Sequence, residues 1–255
     1  MDTLTLWQLA ALAAASALVG FSKTAVSGAN TISLAVFAAV LPARESTGVL
    51  LPVLIAGDVL AVLVYRRHAH WPTLLRLFPA VAVGVVAGTL FMVWADDATV
   101  RTSIGAILVF MAGVTIWRRR RTEAGGEPGT TDGPPTTAER LKARSYGALG
   151  GFTTMVANAG GPVMSLYLLS AGFRKLGFLG TSASFFLIVN ISKVPFSVGL
   201  GLIDGQSLLL DACMLLFVLP GAWLGRIGVD RIDQRLFERL VLAATVLGGL
   251  QLLLV

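Results

Sequence analysis

The stretch "GFSKTAVSGAN", residues 20–30, breaks an otherwise apolar chain with a lysine, several hydroxyls, an asparagine and two glycines. A variant returns as "GFTTMVANAGG", residues 151–161. Around them the chain is greasy: 55% of its 255 residues are hydrophobic and 13% charged, about half the charge of an average soluble domain. Apolar runs at 4–22, 46–65, 77–95, 103–117, 206–225 and 236–255 approach or reach the roughly 20 residues a helix needs to cross a bilayer. Lipid offers the backbone no partners, so a spanning chain forms helices or a closed barrel. Continuous rather than alternating apolarity excludes the barrel. The fold class is therefore an all-α integral membrane protein.

The first residues, "MDTLTLWQ", contain an acid and no basic leader, so the first run reads as a mature helix rather than a signal peptide. The single cysteine, Cys213, allows no intrachain disulfide and reads as a small packing residue. The net charge of +6 sits in short loops, where it sets orientation rather than binding nucleic acid.

Ten apolar segments lie near 4–22, 26–41, 46–65, 72–95, 99–117, 138–157, 162–172, 177–200, 206–225 and 235–254, the second and seventh being short. Between the fifth and sixth, residues 118–144 are rich in Gly, Pro, Thr and charge and read as a flexible linker. The expected organisation is a first transmembrane repeat over 1–117, a linker over 118–143 and a second repeat over 144–255. Arg66 and Arg67, Arg118 to Arg121, Arg174 and Lys175, and Arg226 and Arg231 fall on one side if the segments alternate. The other side receives Asp2, Asp96, Asp97 and Asp204, with Arg44 beside Glu45 as the exception. The positive-inside rule then puts the linker in the cytoplasm and both termini outside, for a chain in the cell inner (plasma) membrane. A re-entrant hairpin at segments one and two, or six and seven, keeps this parity and changes only the span count, eight or ten.

The two polar stretches align at an offset of 131, Gly20-Phe21 on Gly151-Phe152. Arg44 then meets Arg174, Asp58 meets Asn190, and Gly84 and Gly88 meet Gly221 and Gly225. One such echo would be coincidence in an alanine-, leucine- and glycine-rich chain; four in the same order favour a duplication. Five segments per half is an odd number, so the second half enters the membrane in the opposite sense. Inverted repeats of this kind, with polar breaks at corresponding positions, are a mark of secondary transporters. Such a break is tolerated only where it is buried or lines a watery cavity. Glycine frees the backbone there, and the N–H groups and dipole of a half-helix N-terminus favour an anion.

The paired motifs "GFSKTAVSGAN" and "GFTTMVANAGGP", the duplicated halves and the basic central linker resemble the TauE/SafE family of membrane transporters, over nearly the whole chain. The first copy departs from the pattern, with Ala29-Asn30 where the second has Gly160-Gly161. The resemblance implies export of sulfite or small organosulfonates such as sulfoacetate; the residues by themselves give only an anion transporter.

Lys193 lies well inside segment eight, one helical turn after Asn190. A lysine there costs about 2.5–3.5 kcal/mol on insertion scales and reads as functional. Lys23, at the break between segments one and two, is either a point charge for the substrate or a loop lysine that sets topology. Asp58 stands out as the acid deep in an apolar segment, read as a proton carrier or a lysine's partner, with no second acid expected near it. Ser27, Asn30, Thr31, Thr153, Thr154, Asn158, Thr181, Ser182 and Asn190, with the backbone of Gly160 and Gly161, are the expected cavity lining. Singly, each polar residue is as readily a helix–helix contact or a cap. The glycine pairs read as close helix packing. Trp7, Trp71, Trp94 and Trp117 fall at segment ends, as an interfacial belt does.

The expected function is a secondary transporter moving a small anionic substrate by alternating access, proton-coupled through Asp58. It needs no cofactor, and its remaining partner is the lipid bilayer. An uncoupled anion channel would share the pore and be indifferent to neutralising Asp58. An intramembrane enzyme would need a nucleophile or base with a partner, and no HExxH or GxSxG is present. A purely structural subunit leaves Asp58 and Lys193 unexplained. No GxxxxGK[ST] run supports a primary pump. The sequence leaves oligomeric state open.

Overall fold

The computed structural model describes residues 4–25, 30–96, 98–100, 102–103, 106, 110, 137–231, 233, 236, 239–240 and 243. Its elements, in order, are α1 (Leu6–Thr24), α2 (Asn30–Val40), α3 (Ala43–Tyr65), a 3-10 turn (Arg66–His68), α4 (Trp71–Trp94), α5 (Thr137–Ala157), α6 (Gly160–Ser170), α7 (Lys175–Gly199) and α8 (Gly205–Asp230). These are eight of the ten expected segments. The other two, at 99–117 and 235–254, fall almost wholly outside the described residues, as does Trp117.

Among the described residues, five helices are long and apolar enough to cross a membrane: Leu6–Thr24, Arg44–His68, Trp71–Trp94, Lys175–Gly199 and Ser207–Val229. Their outward faces carry Leu63, Val83, Leu90, Leu209 and Leu216, each more than half exposed, a surface suited to lipid rather than water. Trp7, Trp71 and Trp94 are exposed close to helix ends, where an interfacial belt places them. Cys213 is also exposed rather than packed inside. At 11 residues each, α2 and α6 reach about 16 Å, half the roughly 30 Å of a hydrocarbon core.

Helix α5 begins at Thr137, inside the stretch expected to be linker. "TAERLKAR" consists mostly of strong helix formers, so the helix runs on past its apolar part. Capping boxes start α1, from Thr5 and Gln8, and α8, from Asp204 and Ser207.

The tightest packing is α1 on α8 and α4 on α5, and the same contacts are made twice. A Cβ on Gly20 would stand 2.1 Å from the Val218 carbonyl oxygen, and one on Gly151 2.2 Å from that of Val81. A Cβ on Gly221 would meet the Ala17 oxygen at 1.9 Å, and one on Gly84 the Ala148 oxygen at 2.1 Å. Only glycine lets backbones approach this closely. Gly88 abuts Met155 and Phe152, as Gly225 abuts Thr24 and Phe21. Every partner in one half corresponds, at the offsets of 131 and 137 seen in the sequence, to its partner in the other.

The helix ends follow the same rule. Arg44, at the start of α3, donates to the Met92 carbonyl at the end of α4 at 3.0 Å. Lys175, at the start of α7, donates to the Val229 carbonyl at the end of α8 at 2.9 Å. A cation on a helix C-terminus satisfies an orphan carbonyl and opposes the dipole. Asp96 and Asp233 each accept an N–H three residues on, from Thr99 and Leu236, at 2.8 and 2.7 Å. For Asp96 that hydrogen bond holds the carboxyl below its ordinary value.

Candidate anion site between the polar breaks

The second polar stretch breaks at Asn158, which ends α5 with φ 53°, a left-handed conformation that Asn tolerates better than most residues. The glycines, expected to make the break, instead open α6. Gly160 fits against Thr154, whose Cβ would lie 3.0 Å from an added Cβ. The break in the first stretch, with Ser27, lies outside the described residues. So does the side chain of Thr31.

Asn158 also ties the halves together. Its Nδ2 donates to the Thr47 carbonyl at 2.7 Å, and its Oδ1 accepts from Lys193. Lys193 is 1% exposed. Its Nζ further donates to Thr154 Oγ1 and Asn190 Oδ1, both at 3.3 Å. The Asn190 Nδ2 in turn donates to Asp58 Oδ2 at 2.7 Å. The other Asp58 oxygen forms an ion pair with Lys23 Nζ at 2.7 Å. Lys23 also lies over the Phe186 ring, 4.4 Å from its centroid, a cation–π contact. Lys23 is thus no loop lysine: it sits in the last turn of α1, its side chain 10% exposed. Of the two readings of Asp58, partner of a lysine is the one this geometry displays.

A small cavity of about 20 Å³, room for about one water, opens beside this network. The first half lines it with Ser22, Lys23, Asn30 and Leu54, the second with Thr154, Asn158, Gly161, Phe186 and Asn190. Asn30 opens α2 and Gly161 lies in the first turn of α6, so two half-helix N-termini face one space. Their N–H groups and dipoles are positive toward it. The buried Asn30 Oδ1 has no hydrogen-bond partner among the described residues. Lys193 stands one layer back, behind Thr154, Asn158 and Asn190.

Four expected lining residues are not brought there, Gly160 being one. Thr153 bonds back to the Leu149 carbonyl at 2.8 Å, and Ser182 to that of Leu179 at 3.3 Å. Thr181 accepts the His70 N–H at 3.0 Å, near the opposite end of α7 from Lys193. Sequence reasoning missed Ser22, Leu54 and Phe186. Phe186 and Leu54 each precede a singled-out polar residue, Asn190 and Asp58, by four positions, and so share its helix face. It also missed a second buried acid: Asp211, in "LLLDACMLLF", is 2% exposed, and neither carboxyl oxygen has a partner among the described residues.

The Lys23 ammonium and two helix N-termini meet at this cavity beside hydroxyl and amide groups, an arrangement whose polarity suits an anion. Among the described residues no cluster of His, Cys, Asp and Glu could hold a metal. The family model described as "Sulfite exporter TauE/SafE" matches residues 12–252. Among curated proteins and solved structures, nothing matches the chain.

Proposed function

The chain belongs to the sulfite exporter TauE/SafE family, and from that premise we propose that it is a secondary transporter exporting a small anion, sulfite or an organosulfonate such as sulfoacetate. The observation that carries this is the convergence of Lys23 and the N-termini of α2 and α6 on one cavity, with Lys193 behind it. Three sources of positive potential around one cavity favour an anion and repel a cation.

The two halves are read as inverted-topology repeats. The doubled glycine contacts, the doubled cation-to-carbonyl caps and the matched lining positions support this reading. Alternating access then works by rocking the repeats about the α3–α7 contact, where Asp58 meets Asn190. A dianionic substrate displaces Asp58 from Lys23, and a proton taken up by Asp58 couples its movement to the pH gradient. In the cell inner membrane, the loop basicity supports a cytoplasmic linker and external termini.

The experiment is flux of labelled sulfite and sulfoacetate in proteoliposomes, with and without an imposed pH gradient, for wild type and Lys193→Ala. The expected result is saturable, gradient-responsive flux that the substitution abolishes. Saturable flux indifferent to the substitution would remove the site. Non-saturating flux indifferent to the gradient would make the chain a channel. No flux of either anion would overturn the substrate class.

A further inference from the structure

The charges that meet at the cavity do not cancel. Lys23 and Asp58 offset each other at 2.7 Å. Lys193 has no carboxylate in ion-pair range among the described residues. It donates instead to three neutral oxygens, on Thr154, Asn158 and Asn190. Three acceptors match the three N–H bonds of an ammonium, one more than a neutral amine offers. With Lys193 as the ammonium, one positive charge is buried without a carboxylate in ion-pair range among the described residues, and the two helix N-termini add to it. A buried charge is costly until a partner arrives. The other charged groups near Asp58 do not supply one. Helix α3 packs on α1, α2, α7, α8 and the 3-10 turn. These bring Lys23, Lys175, Lys193, Asp211, Arg226, Asp230, and Arg66, Arg67 and His68, and α2 brings no charged residue. Of these, only Lys23 is within ion-pair distance of Asp58.

Resting on the anion-transport reading above, we propose that the occupied site balances one negative charge: a monoanion binds with Asp58 ionised, and a dianion binds only with a proton on Asp58. A monoanion compensates the surplus charge while the Lys23–Asp58 pair stays formed. A dianion claims both lysines. Asp58 then loses its cation, keeps only the Asn190 amide, and forms an O–H bond with a proton taken from water. Asp58 so becomes the residue that sets which charge state of a sulfur oxyanion is accepted at a given pH.

Methanesulfonate and sulfate are nearly the same shape, differ by one charge, and do not titrate near neutrality. Their binding to the full chain in lipid nanodiscs is measured by calorimetry between pH 6 and pH 8, in buffers of different ionisation enthalpy. The expected methanesulfonate affinity is flat, with no proton taken up. The expected sulfate affinity rises about tenfold per pH unit lowered, with one proton taken up per anion. Asp58→Asn makes sulfate binding independent of pH and tighter than methanesulfonate binding; Asp58→Glu keeps the slope. A flat sulfate profile in wild type, a slope that survives Asp58→Asn, or methanesulfonate binding without sulfate binding at any pH overturns the proposal. The proton count in wild type decides it even if Asp58→Asn does not fold. Failure of methanesulfonate, sulfate and sulfite alike to bind would instead overturn the anion-site reading, and this proposal with it.

Discussion

Lys23 and Thr154 occupy corresponding positions, one in each half of the chain, and line the same cavity. One brings a charge, the other a hydroxyl. The same contrast runs through the site: Asn30 answers Gly161, Leu54 answers Phe186, and Asp58 answers Asn190. Lys193 has Ala61, fully buried, at its matched position. The glycine contacts between helices show the opposite behaviour, since each glycine there has a glycine at its matched position. Backbones that pass within contact distance tolerate no Cβ on either copy, so packing holds those positions alike. A site for one small anion needs only a certain total of charge and donors, from whichever half supplies them. The doubled helix contacts and the unlike site residues are thus under different physical constraints.

The frame gives the largest expected effect. Gly84→Ala and Gly221→Ala each put a Cβ about 2 Å from a backbone oxygen, at 2.1 and 1.9 Å. Each is expected to cost more than the ~1–3 kcal/mol of ordinary overpacking, and the two to cost alike. Thermal unfolding in detergent measures both. A large loss in one and none in the other would break the equivalence of the contacts.

The chemistry gives a smaller effect of opposite sign. Asp211 stands where the first half has Leu74, which is fully buried. An unpartnered buried polar group costs roughly 1–3 kcal/mol. Asp211→Leu restores the match, and its Tm is expected to rise by several degrees with methanesulfonate binding unchanged. A fall in Tm, or loss of binding, would show that Asp211 has a partner or a task in another state.

The frame was largely legible in the sequence. Long apolar runs declare helices, and the glycine pairs declare close approach because no other residue serves there. Lys193 and Asp58 were legible as charges in apolar runs, and their expected neighbours Asn158, Thr154 and Asn190 do surround them. Asp211 gives the same signal as Asp58 and was passed over. Thr181 and Ser182 misled for another reason. A hydroxyl in a helix bonds as well to its own backbone or a nearby loop as to a cavity, and depth along the helix decides which. The role of Lys23 depended on whether α1 ends before or after it, and helix ends are poorly marked in apolar sequence. Phe186 was hidden because an aromatic ring beside a lysine looks, in sequence, like any core ring.

The account turns on one location, the space between Lys23 and the first turns of α2 and α6. Selenite mimics sulfite and carries an anomalous scatterer, so diffraction from crystals grown with it locates the anion directly. The expected result is an anomalous peak in that cavity, within hydrogen-bond reach of Lys23 Nζ and the N-terminal N–H groups of α6. A peak elsewhere in the protein, with this cavity empty, would contradict it.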